Sequence, residues 1–289
     1  LSSGVMSDSL IAETFQSTSE YFDAVTPVVW GPAGQALTFA LGLTTGQSVL
    51  DACAGSGASA LPAGRAVGPS GVVHAIDLAD DLLELGRAKA AASALRNIDF
   101  VCADATEWEA PDAIGDGYDA LACSYGIFFL PDMEADFARL VGLVRPGGRV
   151  GVTVWRKGAL EEFGRAFFEV VEEFASARSP ETHAHHGPLS AEDYQRHPIR
   201  RVETPARLST WLEHAGCTSV QVSELSNFIP VTADFAWNLI LGSGFRGGLS
   251  GYDDATRESI RVRFLELLTA RGVDFVDATT LVATGERAS

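Results

Sequence analysis

The sequence predicts an α/β fold, a doubly wound and largely parallel β-sheet with helices on both faces. Three observations predict it. Short apolar runs alternate with stretches of helical period between residues 46 and 157. The first run ends at Val49-Leu50 and enters a turn poor in side chains, Asp51-Ala52-Cys53-Ala54-Gly55-Ser56-Gly57, before a helical segment. Polar residues then recur where successive runs end. Strands alternating with helices at this spacing form right-handed βαβ units, which bury a parallel sheet between two helical layers.

In chain order, residues 8 to 43 carry helical period (Leu10, Ile11, Phe15, Tyr21, Phe22, Val25, then Leu37 to Leu41), interrupted at Gly31-Pro32. Two or three short helices are expected before the first strand. After the glycine turn, a helix is expected from Ser59 to Val67, a strand over Val72–Ile76 ending at Asp77, and a helix over Ala79–Ala94. A third strand covers Ile98–Cys102 and leads to Asp104-Ala105. A fourth covers Tyr118–Ser124, a helix Ala135–Leu143, a turn Pro146-Gly147-Gly148 and a fifth strand Arg149–Trp155. Beyond this, helices are expected over Glu161–Ala177, Ala206–His214, Ala233–Leu241 and Asp254–Ala270. Strands are expected over Ser219–Leu225 and Thr279–Thr284, and residues 178 to 204 read as a polar, His-rich loop or lid. The division expected is an N-terminal helical cap (1–45) and an α/β domain (46–289) with lid insertions at about 157–205 and 226–277.

Composition narrows the function. The 289 residues are 46% hydrophobic and carry a formal charge of -17, with a pI near 4.6. Such a surface repels nucleic-acid phosphates and anionic lipid, so neither is an expected partner. The four cysteines are scattered without CxxC or zinc spacing, which reads as reduced thiols in a cytoplasmic protein with no metal site. No apolar run reaches the length of a membrane span, and no signal peptide is expected. The five residues before Met6 read as an appended segment.

Ligands of open parallel sheets bind beyond the carboxyl ends of the strands, where strand order reverses. Asp51, Asp77, Asp104 and Ser124-Tyr125-Gly126 fall at those ends. Gly55 and Gly57 let a ligand approach backbone N–H groups at a helix start. Asp77 follows Gly57 by about twenty residues, the distance at which an acid meets ribose hydroxyls. Asp104 is placed to accept from an adenine amino group. Each acid read alone is an ordinary helix N-cap; three in register point to a ligand. Because Gly55, Gly57 and Ala60 also satisfy G-x-G-x-x-G/A, a dinucleotide remains an alternative at this point.

Residues 49–60, Asp77, Asp104-Ala105, the Ser-Tyr-Gly segment at 124–126 and the Arg-Pro-Gly-Gly-Arg segment at 145–149 resemble class I S-adenosylmethionine-dependent methyltransferases, in particular the small-molecule enzymes of the ubiquinone/menaquinone-biosynthesis type. The resemblance covers about residues 45 to 157, with a weaker echo at Phe15–Asp23. It implies a Rossmann-like seven-stranded sheet in which Thr279–Thr284 is an antiparallel strand inserted beside the fifth, and Ser219–Leu225 is the sixth. It implies S-adenosyl-L-methionine as cofactor. Asp51, Ala52, Cys53, Gly55, Ser56 and Gly57 would hold its methionine end, Asp77 and Leu78 the ribose, and Asp104 and Ala105 the adenine. Ser124 would lie near the methionyl amino group, with Tyr125 and Tyr21 beside the cofactor. One departure is Cys53, where the family commonly has glycine.

The function so implied is methyl transfer to a small, hydrophobic metabolite at oxygen or carbon, by in-line displacement. Such a reaction needs placement of the acceptor and exclusion of water more than any nucleophile triad. The alternatives are an NAD(P)-dependent oxidoreductase and a methyltransferase-fold protein acting as a non-methylating cyclase or scaffold. Trp30, Phe128, Trp155, Trp237 and Phe245 are candidate substrate-lining residues, each of which also reads as an ordinary core aromatic. The glycines 242, 244, 247 and 248 read as a lid hinge or a plain loop. Tyr125, His183 and His186 are candidate bases, the histidines because they titrate near neutrality; a solvated loop is the competing reading for both histidines.

Overall fold

A computed structural model describes residues 19–177 and 197–289. Nine strands are described, seven of them in one sheet: β1 (Ser48–Ala52), β2 (Val72–Asp77), β3 (Ile98–Cys102), β4 (Tyr118–Ser124), β5 (Val144–Trp155), β6 (Cys217–Leu225) and β9 (Thr280–Arg287), in the order β3-β2-β1-β4-β5-β9-β6. β1 pairs in parallel with both β2 and β4, so the order reverses between β1 and β4 and opens a crevice at their carboxyl ends. β9 runs antiparallel to β5 and to β6. This is the seven-stranded, mostly parallel arrangement the sequence predicts.

Alternation along the strands sends successive side chains to opposite faces. On one face Leu50, Ile76 and Leu121 meet Phe137 and Leu140 of α5 (Met133–Gly142) and Leu208 and Leu212 of α7 (Pro205–His214). On the other, Val49, Val73 and Ala120 meet Ala63 of α3 (Ala60–Val67) and Leu83 of α4 (Asp80–Ala92), while Leu37 and Leu41 of α2 (Trp30–Leu41) pack on Ala122 and Val282.

A further helical body sits at the sheet's carboxyl edge. It joins three segments distant in sequence. α1 (Ser19–Val25) and the start of α2 give Val25, Val29 and Trp30. α6 (Glu161–Glu173) gives Phe163, Phe167 and Val170. Residues 229–278 give Leu239 of α8 (Ala233–Leu241), Phe264 of α9 (Asp254–Ala270) and Val276. Each fully buried Phe here contributes roughly 1.5–3 kcal/mol by leaving water. A two-stranded ribbon, β7 (Phe228–Pro230) against β8 (Phe275–Asp277), fastens the last segment and was not visible in the sequence, three residues being too short to show alternation.

Local expectations fail in two places. Gly31-Pro32 does not break the helix; Pro32 lies in the first turn of α2, where the missing N–H costs no hydrogen bond. Pro146-Gly147-Gly148 is not a free turn before the fifth strand. Tyr118 pairs with Val144 and Ala120 with Arg149, so β5 takes five steps where β4 takes two, and the segment is a bulge within β5. Among the described residues no helix is long and apolar enough to cross a membrane.

Candidate active site

The turn after β1 is built from backbone. Gly55 and Gly57 have φ of 53° and 86°, a left-handed conformation that glycine adopts without steric penalty. Cys53 shares it at φ 57°, which gives the physical reason a glycine suits that position. The Cys53 thiol faces the neighbouring strand end, its Sγ 3.9 Å from the Gly126 carbonyl oxygen. Its proton is held tightly by contact with Cys123 and by burial. α2 seats the turn from behind: a Cβ on Gly34 would lie 2.2 Å from the Ala58 carbonyl oxygen, so only glycine permits this approach.

Two carboxyl groups flank the turn. Asp51 is fully buried, and both of its oxygens accept from the Ser59 hydroxyl, at 2.9 and 2.8 Å. Burial pushes its pKa up to about 7, against the lowering effect of Ser59. Asp77 accepts from the Gly55 N–H at 2.8 Å through one oxygen and from the Ala79 N–H at 2.9 Å through the other. Burial raises its pKa too, opposed by these backbone donors. Desolvated carboxyls meeting at a strand-end crevice are suited to a cation and to hydroxyl donors. Each Asp77 oxygen keeps a second lone pair for such a donor.

The remaining strand-end residues are placed less uniformly. Asp104 accepts from the Thr106 N–H at 2.7 Å and the Thr106 hydroxyl at 2.8 Å through one oxygen, the local turn that an isolated Asp makes. Ala105 is buried against the core of the α5 face. Leu78 is half-buried beside Asp77. The Ser124 hydroxyl shares a 2.8 Å hydrogen bond with the Thr153 hydroxyl.

Sequence reasoning missed a polar latch over the turn. Ser56, expected to serve the ligand, gives its hydroxyl to Asp23 of α1 at 3.1 Å. Lys89 of α4 pairs with the same Asp23 oxygen and lies 3.2 Å from the Ser56 hydroxyl. Phe22, one residue earlier, lies over Gly55: a Cβ there would meet its ring at 3.4 Å. Asp23 and Lys89 are 66 residues apart, and nothing in either local sequence announces the pairing. Tyr21 is partly exposed, and its backbone rests on Gly242, where a Cβ would lie 2.6 Å from the Tyr21 carbonyl carbon. Gly242 is therefore a packing contact rather than a hinge, as is Gly248 against Phe167.

Next to the turn stands a box of aromatic rings. Trp30 stacks on Phe22 at 5.2 Å, meets Tyr125 edge-on at 5.2 Å and Trp155 at 5.7 Å; Tyr125 and Trp155 are 4.4 Å apart. Tyr125 and Trp155 come from the carboxyl ends of β4 and β5, whereas Phe22 and Trp30 come from the N-terminal helices. Trp237, like Phe245, packs against the wider apolar body of which the box is one part. Two expected lining residues take core positions. Phe128 packs on the α5-side core. Phe245 is gripped by Phe163, Phe167 and Phe168 at 5.8, 6.1 and 5.9 Å, the core role its alternative reading assigned. The Tyr125 hydroxyl is hydrogen-bonded to Thr280, and burial drives its pKa further up, so it is poorly suited to be a base at neutral pH. His183 and His186 lie outside the described residues. Among the described residues no cluster of three His, Cys, Asp or Glu side chains could hold a metal ion.

Dinucleotide-binding sheets follow the strand order 3-2-1-4-5-6. Here the antiparallel β9 is inserted between β5 and β6, and buried carboxyls flank the glycine turn. This sheet and this crevice define a class I S-adenosylmethionine-dependent methyltransferase. The comparison with known families agrees and goes further: the chain belongs to the ubiE/COQ5 methyltransferase family, whose profile matches residues 8–232. It is an enzyme that transfers a methyl group from S-adenosyl-L-methionine to a small metabolite, and membership selects that chemistry over hydride transfer.

The aklanonic acid methyltransferase DauC of Streptomyces sp. (strain C5) is 31% identical over 173 residues, 59% of this chain and 77% of that protein. The ubiquinone/menaquinone biosynthesis C-methyltransferase UbiE of Methylobacterium nodulans is 28% identical over 230 residues, 76% of this chain and 87% of its own. Matches to several other curated relatives span only 42% to 62% of their length. Among solved structures, Haemonchus contortus phosphoethanolamine N-methyltransferase 2, in complex with phosphomonomethylethanolamine and S-adenosylhomocysteine, shares the fold. Its TM-score is 0.57 at 16% identity, over 99% of this chain and 61% of that one.

Proposed function

We propose that the enzyme methylates oxygen or carbon on a largely apolar, ring-bearing metabolite held between the glycine turn and the aromatic body. The observation that carries this reading is the box of Phe22, Trp30, Tyr125 and Trp155 beside the strand ends. Flat rings favour flat, weakly hydrated partners. The DauC relative, an aklanonic acid methyltransferase, supports a small-molecule acceptor.

When bound, S-adenosyl-L-methionine supplies an electrophilic methyl group on a sulfonium. Asp51 and the backbone of Gly55 and Gly57, with Ala52 and Cys53 at the strand end, take the methionine end in this reading. Asp77 and Leu78 take the ribose, Asp104 and Ala105 the adenine, and Ser124 the methionyl amino group. Tyr21 closes the outer rim. Trp30, Trp155 and Trp237 orient the acceptor, and faces of the box stabilise nearby positive charge by roughly 0.5–2 kcal/mol. Holding the acceptor in line and dry supplies most of the acceleration, up to about 10 kcal/mol. In this reading the helices between residues 19 and 45 form a cap, and the described segments at 157–177, 197–205 and 226–277 act as a lid. Four free cysteines support a cytoplasmic setting.

The test is transfer of a labelled methyl group to a panel of hydroxylated and carboxylated naphthalenes and anthraquinones, against small amines and phosphoamines. Label transferred to ring-bearing acceptors supports the reading. Label found only in the amines sinks it.

A further inference from the structure

We infer that α7 carries a second ligand site, apart from the methyl-transfer cleft, for a small organic anion with a flat apolar body, an aryl anion. The inference does not rest on the acceptor chemistry proposed above. An open groove of about 350 Å³ is lined by Arg201, Ala206, Arg207, Thr210, Trp211 and His214. Its volume falls at the low end of the range for small-molecule sites. Arg207, Thr210, Trp211 and His214 recur at helical spacing and form one stripe of α7. Arg201 joins them from the short helical turn at Pro198–Arg201. No wall comes from the glycine turn or the aromatic body.

The chargeable groups lining this groove are all basic, in a chain with 38 Asp and Glu against 21 Lys and Arg. The acid on α7 itself, Glu213, lies by helical spacing on the opposite side, where Ser209 donates to it at 3.3 Å. Two carboxylates pair with the arginines here. Glu134 of α5 accepts from Arg201 Nη1 at 2.8 and 2.7 Å. Buried Glu203 pairs with Arg200 at 3.1 Å and accepts from Arg207 Nη1 at 3.4 Å. Three guanidinium groups thus meet two carboxylates, a surplus of one positive charge. Among the described residues, Nε and Nη2 of both Arg201 and Arg207 have no partner, and each is a donor. A groove lined by one sign of charge concentrates counter-ions. Guanidinium donors match the oxygens of a carboxylate or phosphate in pairs.

Trp211 supplies the flat apolar wall. It is only 7% exposed, and it packs on Phe137 at 4.8 Å, a ring with no acceptor atom. Its Nε1 has no hydrogen-bond partner. A buried indole N–H usually finds one, so an unpaired indole in the wall is a second, independent sign of a groove completed by a ligand. The ligand's ring lies against Trp211, and its anion takes the donors of Arg201 and Arg207.

The experiment uses the full chain saturated with S-adenosylhomocysteine and labelled with 15N at its five tryptophans, with the Trp211→Phe protein identifying the Trp211 indole signal. Affinity is read from that signal, so binding in the cleft does not enter. The probes are 2-naphthoate and 1-naphthyl phosphate, with 2-naphthylmethanol as the uncharged control, inorganic phosphate as the ring-free control and hexaglutamate as the acidic-peptide control. The expected result is a shift of the Trp211 signal by one or both aryl anions, the tighter of the two assigning carboxylate or phosphate. Each control should bind at least tenfold more weakly. Arg207→Gln should weaken the aryl anions about tenfold and Arg201→Gln about threefold. Arg201 and Glu134 are half-exposed, so Arg201→Gln keeps the test open should Arg207→Gln fold poorly. Methyl transfer by Arg201→Gln without added anion should stay within about twofold of the unaltered enzyme. A Trp211 signal unmoved by both aryl anions, binding unchanged in Arg201→Gln, or any control binding as tightly as the aryl anions overturns the inference.

Discussion

The two walls of the cleft are made in opposite ways. The sheet wall is local in sequence and largely backbone: Gly55 and Gly57 in left-handed conformation, with Asp51 and Asp77 fixed by hydrogen bonds to Ser59, Gly55 and Ala79. The facing wall is side chain, assembled from three distant segments and held by ring contacts and one half-buried latch. The contrast teaches where tolerance should lie. A backbone wall loses its geometry with one substitution, whereas a wall of packed rings redistributes small changes.

The largest effect should come from Asp77→Ala, which strips acceptors from the Gly55 and Ala79 N–H groups at once. S-adenosylhomocysteine affinity should fall about a hundredfold, with about 1–3 kcal/mol of stability lost for each stranded donor that stays buried. Calorimetry and urea unfolding read both; an unaltered affinity would break the idea that the sheet wall is the cofactor wall.

Asp51 sharpens the comparison through pH. Its folded pKa, about 7, lies above its unfolded value of 3.8. Between those values the native state keeps a proton that the unfolded chain has lost. Stability of the cofactor-free protein should therefore fall as pH rises from about 4 to about 7, by on the order of 2–4 kcal/mol, and level off above. Asp51→Asn should flatten that slope in urea titrations. Since a positively charged ligand favours the carboxylate, cofactor affinity should rise through the same window, and a flat affinity profile would count against Asp51 facing the ligand.

Smaller effects belong to the facing wall. The Lys89–Asp23 pair is partly exposed, so Lys89→Met should cost less than about 1 kcal/mol of stability. It should still speed S-adenosylhomocysteine release several-fold in stopped-flow measurements, because the latch holds α1 over the turn. An unchanged release rate would show that α1 does not gate the site. Smallest of all, Tyr125→Phe removes only the bond to Thr280, so kcat should change less than about threefold and stability by about 1 kcal/mol. A hundredfold loss of kcat with cofactor affinity intact would restore Tyr125 as a base.

The legibility of the chain follows the same division. Tyr118–Ser124 was readable to the residue because a buried central strand is a nearly continuous apolar run, and Ile98–Cys102, an edge strand with only Phe100 buried, because its branched and aromatic residues favour a strand. Asp51, Asp77 and the glycines were readable because a strand–turn–helix junction compresses its chemistry into a dozen residues. Gly31-Pro32 misled, since the sequence shows a helix breaker without showing that the helix starts just before it. Phe128 and Phe245 misled because an aromatic residue looks the same whether it faces a cleft or a core.

The sequence alone determined the parallel sheet and the glycine turn with its flanking acids at the strand ends, because hydrophobic period and left-handed glycines act over short spans. Only the tertiary structure decided that Asp23 reaches Ser56 and Lys89 and that Trp30 meets Tyr125 and Trp155. Those contacts join segments tens to more than a hundred residues apart. Their pairing is set by how the helices pack together, which no local pattern encodes.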